Sequence, residues 1–81
     1  MRLLIVEDEK ELCDTIAKTL YQAGYEVDTC YDGDEALDYI LAENYDLIVL
    51  DLNLPGTDGM DILKELRKEN EETKVLILSA R

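Results

Sequence analysis

The chain has 81 residues, enough for one domain with a modest core. With 47% hydrophobic and 35% charged residues it has the composition of an ordinary globular protein, and no apolar run approaches the roughly 20 residues that cross a bilayer, which excludes a membrane protein. The 20 acidic residues against 8 basic ones, with no histidine, give a formal net charge of -12, which repels phosphate backbones, argues against direct nucleic-acid binding by this segment and favours a cation or a basic partner.

The opening run "RLLIV" (Arg2 to Val6) is unbroken and apolar, as in a strand covered on both faces, and Glu7 and Asp8 follow it at once. It is far shorter than the core of a signal peptide, so the expectation is a cytoplasmic protein. Leu12, Ile16 and Leu20, with Ala23 close to their line, predict a helix with one apolar stripe that stops at Gly24. "YEVDTCY", from Tyr25 to Tyr31, alternates, with Tyr25, Val27, Thr29 and Tyr31 facing one way and Glu26, Asp28 and Cys30 the other, which reads as an edge strand. Cys13 and Cys30 lack the spacing of a metal knuckle or a redox pair and are assigned no chemistry.

Asp32, with Glu35 three residues later, has the pattern of a capping box, and Ala36, Leu37, Ile40 and Leu41 predict the inner face of a second helix. "LIVL" (Leu47 to Leu50) is a third strand, ended by Asp51 with Pro55 and Gly56 close behind. Asp58 and Asp61 precede Ile62, Leu63 and Leu66 in a third helix running to about Asn70, whose Lys64, Arg67 and Lys68 complement its C-terminal dipole. "VLIL" (Val75 to Leu78) is the fourth strand, ended by Ser79.

Alternating strands and helices predict an α/β fold: a parallel sheet with right-handed crossovers, wound as in flavodoxin, with strand order second, first, third, fourth. The first helix then lies on one face and the second and third on the other. The fourth strand is as apolar as the internal ones, so the expectation is that residues 1–81 are the N-terminal part of a larger domain whose next strand and helix cover that edge and the bare face. A chain with such an edge is expected to self-associate into a homo-oligomer, by exchanged elements or by pairing across the bare face or the fourth strand, in which case a purely structural role is the alternative for this fragment.

Ligands in open α/β sheets gather at the carboxyl ends of the strands, where Glu7, Asp8, Asp51 and Ser79 fall. Carboxylates converging from adjacent strands repel one another, and a divalent cation with oxygen ligands, Mg2+ or Mn2+, is the simplest relief. A carboxylate beside such a cation can act as a nucleophile toward a phosphoryl group, and Asp51 is the best placed. An aspartate-nucleophile phosphohydrolase is the alternative, although its second aspartate two residues on is Asn53 here. A dinucleotide site is excluded, because "EDEKE" follows the first strand where a glycine-rich turn belongs.

"LLIVEDE", "DLIVLDLNLPGTDGMDIL" and "VLILSAR" together resemble the receiver domain of two-component response regulators, in the branch that carries a winged-helix DNA-binding domain. The resemblance implies a phosphoacceptor switch rather than an enzyme. Asp51 would accept a phosphoryl group from a histidine kinase or a small donor such as acetyl phosphate. Asp8 would bind Mg2+ directly, Glu7 directly or through water, and the Asn53 backbone carbonyl would add a ligand. Ser79 would hydrogen-bond the phosphoryl group, and Pro55 and Gly56 would shape the loop. Such domains carry a lysine and an aromatic switch residue on a fifth strand. Lys10, Lys18, Lys64, Lys68 and Lys74 fall instead at helix or strand-start positions, so the fragment's phosphorylation is expected to be inefficient.

Overall fold

The computed structural model describes residues 1–78 and contains β1 (Arg2–Val6), α1 (Lys10–Gln22), β2 (Glu26–Cys30), α2 (Gly33–Ala42), β3 (Leu47–Leu50), α3 (Gly59–Glu69) and β4 (Lys74–Ile77). The four strands form one parallel sheet in the order β2-β1-β3-β4, the predicted winding. Leu4 pairs with Asp28 and Ile48, and Ile48 with Val75, so the strand ends that carry acidic residues emerge side by side.

The sheet separates two apolar layers. On one face Leu4, Val6, Cys30, Ile48 and Leu50 pack against Ala36 and Ile40 of α2 and Ile62 and Leu66 of α3. On the other, Ile5 and Val49 pack against Cys13, with Ile16, Ala17 and Leu20 of α1 closing over them. One helix on one face and two on the other is the distribution that right-handed crossovers require.

The helix ends follow the local chemistry. Gly24 takes φ +101° just after α1, and the N–H groups of Tyr25 and Gly24 donate to the carbonyls of Leu20 and Tyr21, a Schellman ending that a β-carbon would strain. Asp32 accepts from the Glu35 N–H at 2.8 Å, and Asp58 accepts from the Met60 N–H at 2.8 Å.

Some expected positions shift. Leu12 is 41% exposed and is not part of the buried stripe of α1, which is centred on Cys13 instead. Cys13 lies one residue further round the helix, about 100° from Leu12, and that is the direction in which the sheet lies. Leu41, 61% exposed, also leaves the predicted inner face of α2, which rests on Ala36 and Ile40. β2 is shorter by one residue at each end, and β4 runs one residue earlier than "VLIL" suggests, because Lys74 is already paired with Leu47. Neither face of β2 is uniformly exposed. Asp28 is half-buried, and its Oδ2 accepts from the Arg2 guanidinium at 3.1 Å and from the Tyr45 hydroxyl at 2.6 Å.

Candidate functional site

β1 and β3 are adjacent, and their hydrogen-bond ladder continues past the last apolar residue: the Asp51 N–H donates to the Val6 carbonyl at 3.0 Å. The Glu7 N–H likewise donates to the Cys30 carbonyl at 3.1 Å. Both acidic residues are therefore held by the sheet rather than by loop conformation. Glu7, Asp8 and Asp51 each offer a carboxylate oxygen, and these atoms lie within 4.8 Å of one another.

The electrostatics of this cluster are strained. Glu7 is only 6% exposed and Asp51 8%, while Asp8 is open to solvent. Burial pushes the Glu7 carboxyl up to about 7, aided by its hydrogen bond to Asp51 and by the charges of Asp51, Asp8 and Glu9. Glu7 Oε2 is buried with no hydrogen-bond partner among the described residues. A buried carboxylate oxygen is seldom left so, and this one belongs to a group of three carboxylates with the spacing of cation ligands. The residues present fit a hard divalent cation.

Asp51 is further oriented by its own chain. Its Oδ1 accepts from the Asn53 N–H at 2.9 Å, an Asx turn that begins the loop to α3. Gly59 lies so close to that loop's start that a β-carbon would sit 2.7 Å from Leu52 Cα and 3.0 Å from the Asp51 carbonyl oxygen. The structure thus gathers Glu7, Asp8 and Asp51, with Asn53 bonded to the last of them, whereas Ser79 lies outside the described residues.

The model of the response regulator receiver domain family matches residues 3–81. The chain belongs to that family. Among relatives of this receiver domain, the transcriptional regulatory protein DltR of Streptococcus agalactiae is 46% identical over 81 residues, covering 100% of this chain and 36% of that protein. The transcriptional regulatory protein TctD of Salmonella typhimurium is 44% identical, with the same coverage. The receiver domain here therefore spans 36% of the length of these curated relatives. The response regulator TrrA of Thermotoga maritima, solved in complex with Mg2+-BeF, superposes with a TM-score of 0.87 at 36% identity, covering 98% of this chain and 70% of that one. TrrA has also been solved in complex with the histidine kinase ThkA, again with a TM-score of 0.87. A CheY-like receiver domain from Methanospirillum hungatei gives a TM-score of 0.90 at 30% identity, over 94% of this chain and 61% of that one.

Sequence reasoning missed how this receiver domain holds the loop after Asp51. The Gly33 N–H, at the start of α2, donates to the Pro55 carbonyl at 3.0 Å. Asp34 Oδ1 accepts from the Thr57 N–H at 3.2 Å and from Thr57 Oγ1 at 2.5 Å. Gly56, at φ +76°, passes beneath the Asp34 carboxylate. A β-carbon on Gly33 would lie 1.9 Å from the Thr57 carbonyl oxygen. Gly33→Ala is therefore expected to destabilise the fold by about 2 to 3 kcal/mol in urea unfolding, through overpacking against backbone. At an open helix position the same change stabilises by up to about 1 kcal/mol, so the sign alone tests the contact. The "DG" at residues 32 and 33 was legible as a helix cap, but nothing local announces a contact with residues 55 to 57.

Proposed function

We propose that this receiver domain is a phosphorylation-activated switch of a two-component system, in which Asp51 accepts a phosphoryl group from a histidine kinase or a small donor such as acetyl phosphate. The observation that carries this reading is the buried pair Glu7 and Asp51 with the unpartnered Glu7 Oε2, a site charged and shaped for a cation beside a nucleophilic carboxylate. Glu7, Asp8, Asp51 and the Asn53 carbonyl would hold Mg2+, with Mn2+ able to replace it. When bound, the cation offsets negative charge on the transferring group. Asp51 supplies the attacking oxygen, with the Asn53 N–H setting the rotation of its carboxylate. As the new P–O bond forms, the bond from phosphorus to the donor breaks and its electron pair leaves with the donor. Ser79 would hydrogen-bond the phosphoryl oxygen.

The Mg2+-BeF complex of TrrA supports the cation, and the ThkA complex of TrrA supports a kinase donor. In the parent, residues 1–81 would form the N-terminal part of the receiver domain of a cytoplasmic transcriptional regulator, consistent with DltR and TctD, and DNA would be bound by a separate output domain. Intact mass after incubation with Mg2+ and acetyl phosphate tests the reading. The expected result is a slow and incomplete gain of one phosphoryl group, mapped to Asp51. Sustained turnover of small phosphate esters would instead favour the phosphohydrolase alternative.

A second reading concerns association. Among the described residues β4 is paired only with β3, and its Leu76 and Ile77 and the following Leu78 are exposed, Leu76 by 54%. We propose that the 81-residue chain self-associates through this edge. Sedimentation showing a compact monomer at micromolar concentration would overturn that.

A further inference from the structure

We infer that Asp34 is a positioning residue for the cation site, acting through Thr57 on the loop that carries Asp51 and Asn53. The inference rests on the metal reading above. Asp34 is remote in sequence from the acidic strand ends and sits in the first turn of α2. Its Oδ1 accepts from both hydrogen-bond donors of Thr57, the N–H and the hydroxyl, while the neighbouring Gly33 N–H donates to the Pro55 carbonyl. Three bonds thus tie residues 55 to 57 to the N-terminus of one helix. The loop's two ends are held elsewhere, by the Asp51 N–H on the Val6 carbonyl and by the Asp58 cap of α3.

Asn53 lies between these anchors and is exposed, with its N–H on Asp51 Oδ1. Where its carbonyl points depends on the path of the chain between Asp51 and Pro55. Side chains that orient the ligands of a metal act on affinity without touching the ion. If the loop samples other paths, the binding-competent fraction falls and apparent affinity falls in proportion. Asp34 restricts those paths through an acceptor oxygen, not through its charge. Asp34→Asn keeps that oxygen and removes the charge, whereas Asp34→Ala removes both, so the two variants separate the causes.

The test is the affinity of the 81-residue chain for Mn2+, read from the electron paramagnetic resonance signal of the free ion, in wild type, Asp34→Ala, Asp34→Asn and Thr57→Val. Far-UV circular dichroism confirms that each is folded. Asp34→Ala is expected to weaken Mn2+ binding about tenfold, the lower end of the range for residues that support metal ligands. Asp34→Asn is expected to stay within about twofold of wild type, because its Oδ1 still accepts. Thr57→Val loses the hydroxyl but keeps the N–H, so its loss falls between these two, and it carries the test should Asp34→Ala not fold. Wild-type affinity in folded Asp34→Ala or Thr57→Val overturns the inference. Equal losses in Asp34→Ala and Asp34→Asn overturn it too, by assigning the effect to charge. A wild-type chain that binds no Mn2+ overturns the metal reading itself and the positioning role with it.

Discussion

Metal-free chain is expected to lose about 3 kcal/mol of stability as pH rises from about 4.5 to above 7, the free-energy equivalent of raising one carboxyl pKa between those limits. The group is Glu7, ordinarily at 4.5 and held at about 7 in the fold, first by burial and then by its hydrogen bond to Asp51 and the neighbouring charges. Between the two values the native state binds a proton that the unfolded chain has released, so the slope of stability against pH is negative. Below the window both states are protonated and the fold has no deficit from this group. Above it the native state carries two buried carboxylates side by side. Urea unfolding with a chelator present, at pH 5 and pH 8, measures the difference. Glu7→Gln should flatten the profile across that window. A divalent cation binds the ionised form, so saturating Mg2+ should restore stability mainly at the alkaline end. A profile unchanged by Glu7→Gln would remove Glu7 as its source.

The same residues show what a sequence can and cannot disclose. β1 and β3 were readable because a strand buried on both faces needs no polar interruption, and an acidic residue directly after such a run falls at a strand end by length alone. Strand order followed from the weaker, alternating pattern of β2. The inner faces of the helices were less legible. Apolar spacing on α1 admits more than one choice of stripe, and a cysteine, Cys13, at its centre did not register as an apolar anchor. The latch of Asp34 on Thr57 was not legible at all. It spans 23 residues, and each partner is an ordinary polar residue in its own neighbourhood. The group of half-buried Arg2 and Asp28 with buried Tyr45 was hidden for the same reason: the parallel register that brings Arg2 opposite Glu26 and near Asp28 exists only once the sheet is assembled.

Asp51→Asn is expected to separate the site's function from its stability. The amide keeps an Oδ1 acceptor for the Asn53 N–H, so the loop's first turn survives. It removes one of the two carboxylates buried together at the strand ends, and with it the hydrogen bond and the repulsion that add to burial in raising Glu7. The metal-free variant should therefore be more stable than wild type above pH 7, by about 1 kcal/mol, the differential interaction of about one pKa unit. Its affinity for Mg2+ should fall, because one of the three carboxylates gathered there has become neutral. Phosphoryl uptake from acetyl phosphate should vanish, since an amide oxygen offers no carboxylate nucleophile. Denaturant unfolding, cation titration and intact mass, each on the same two chains, read the three effects independently. Stabilisation with loss of uptake identifies Asp51 as an acceptor kept at the expense of the fold. Uptake that persists in the variant moves the acceptor to another carboxylate. Destabilisation above pH 7 would mean that the other bonds Asp51 makes in the fold outweigh the charge repulsion that its amide relieves.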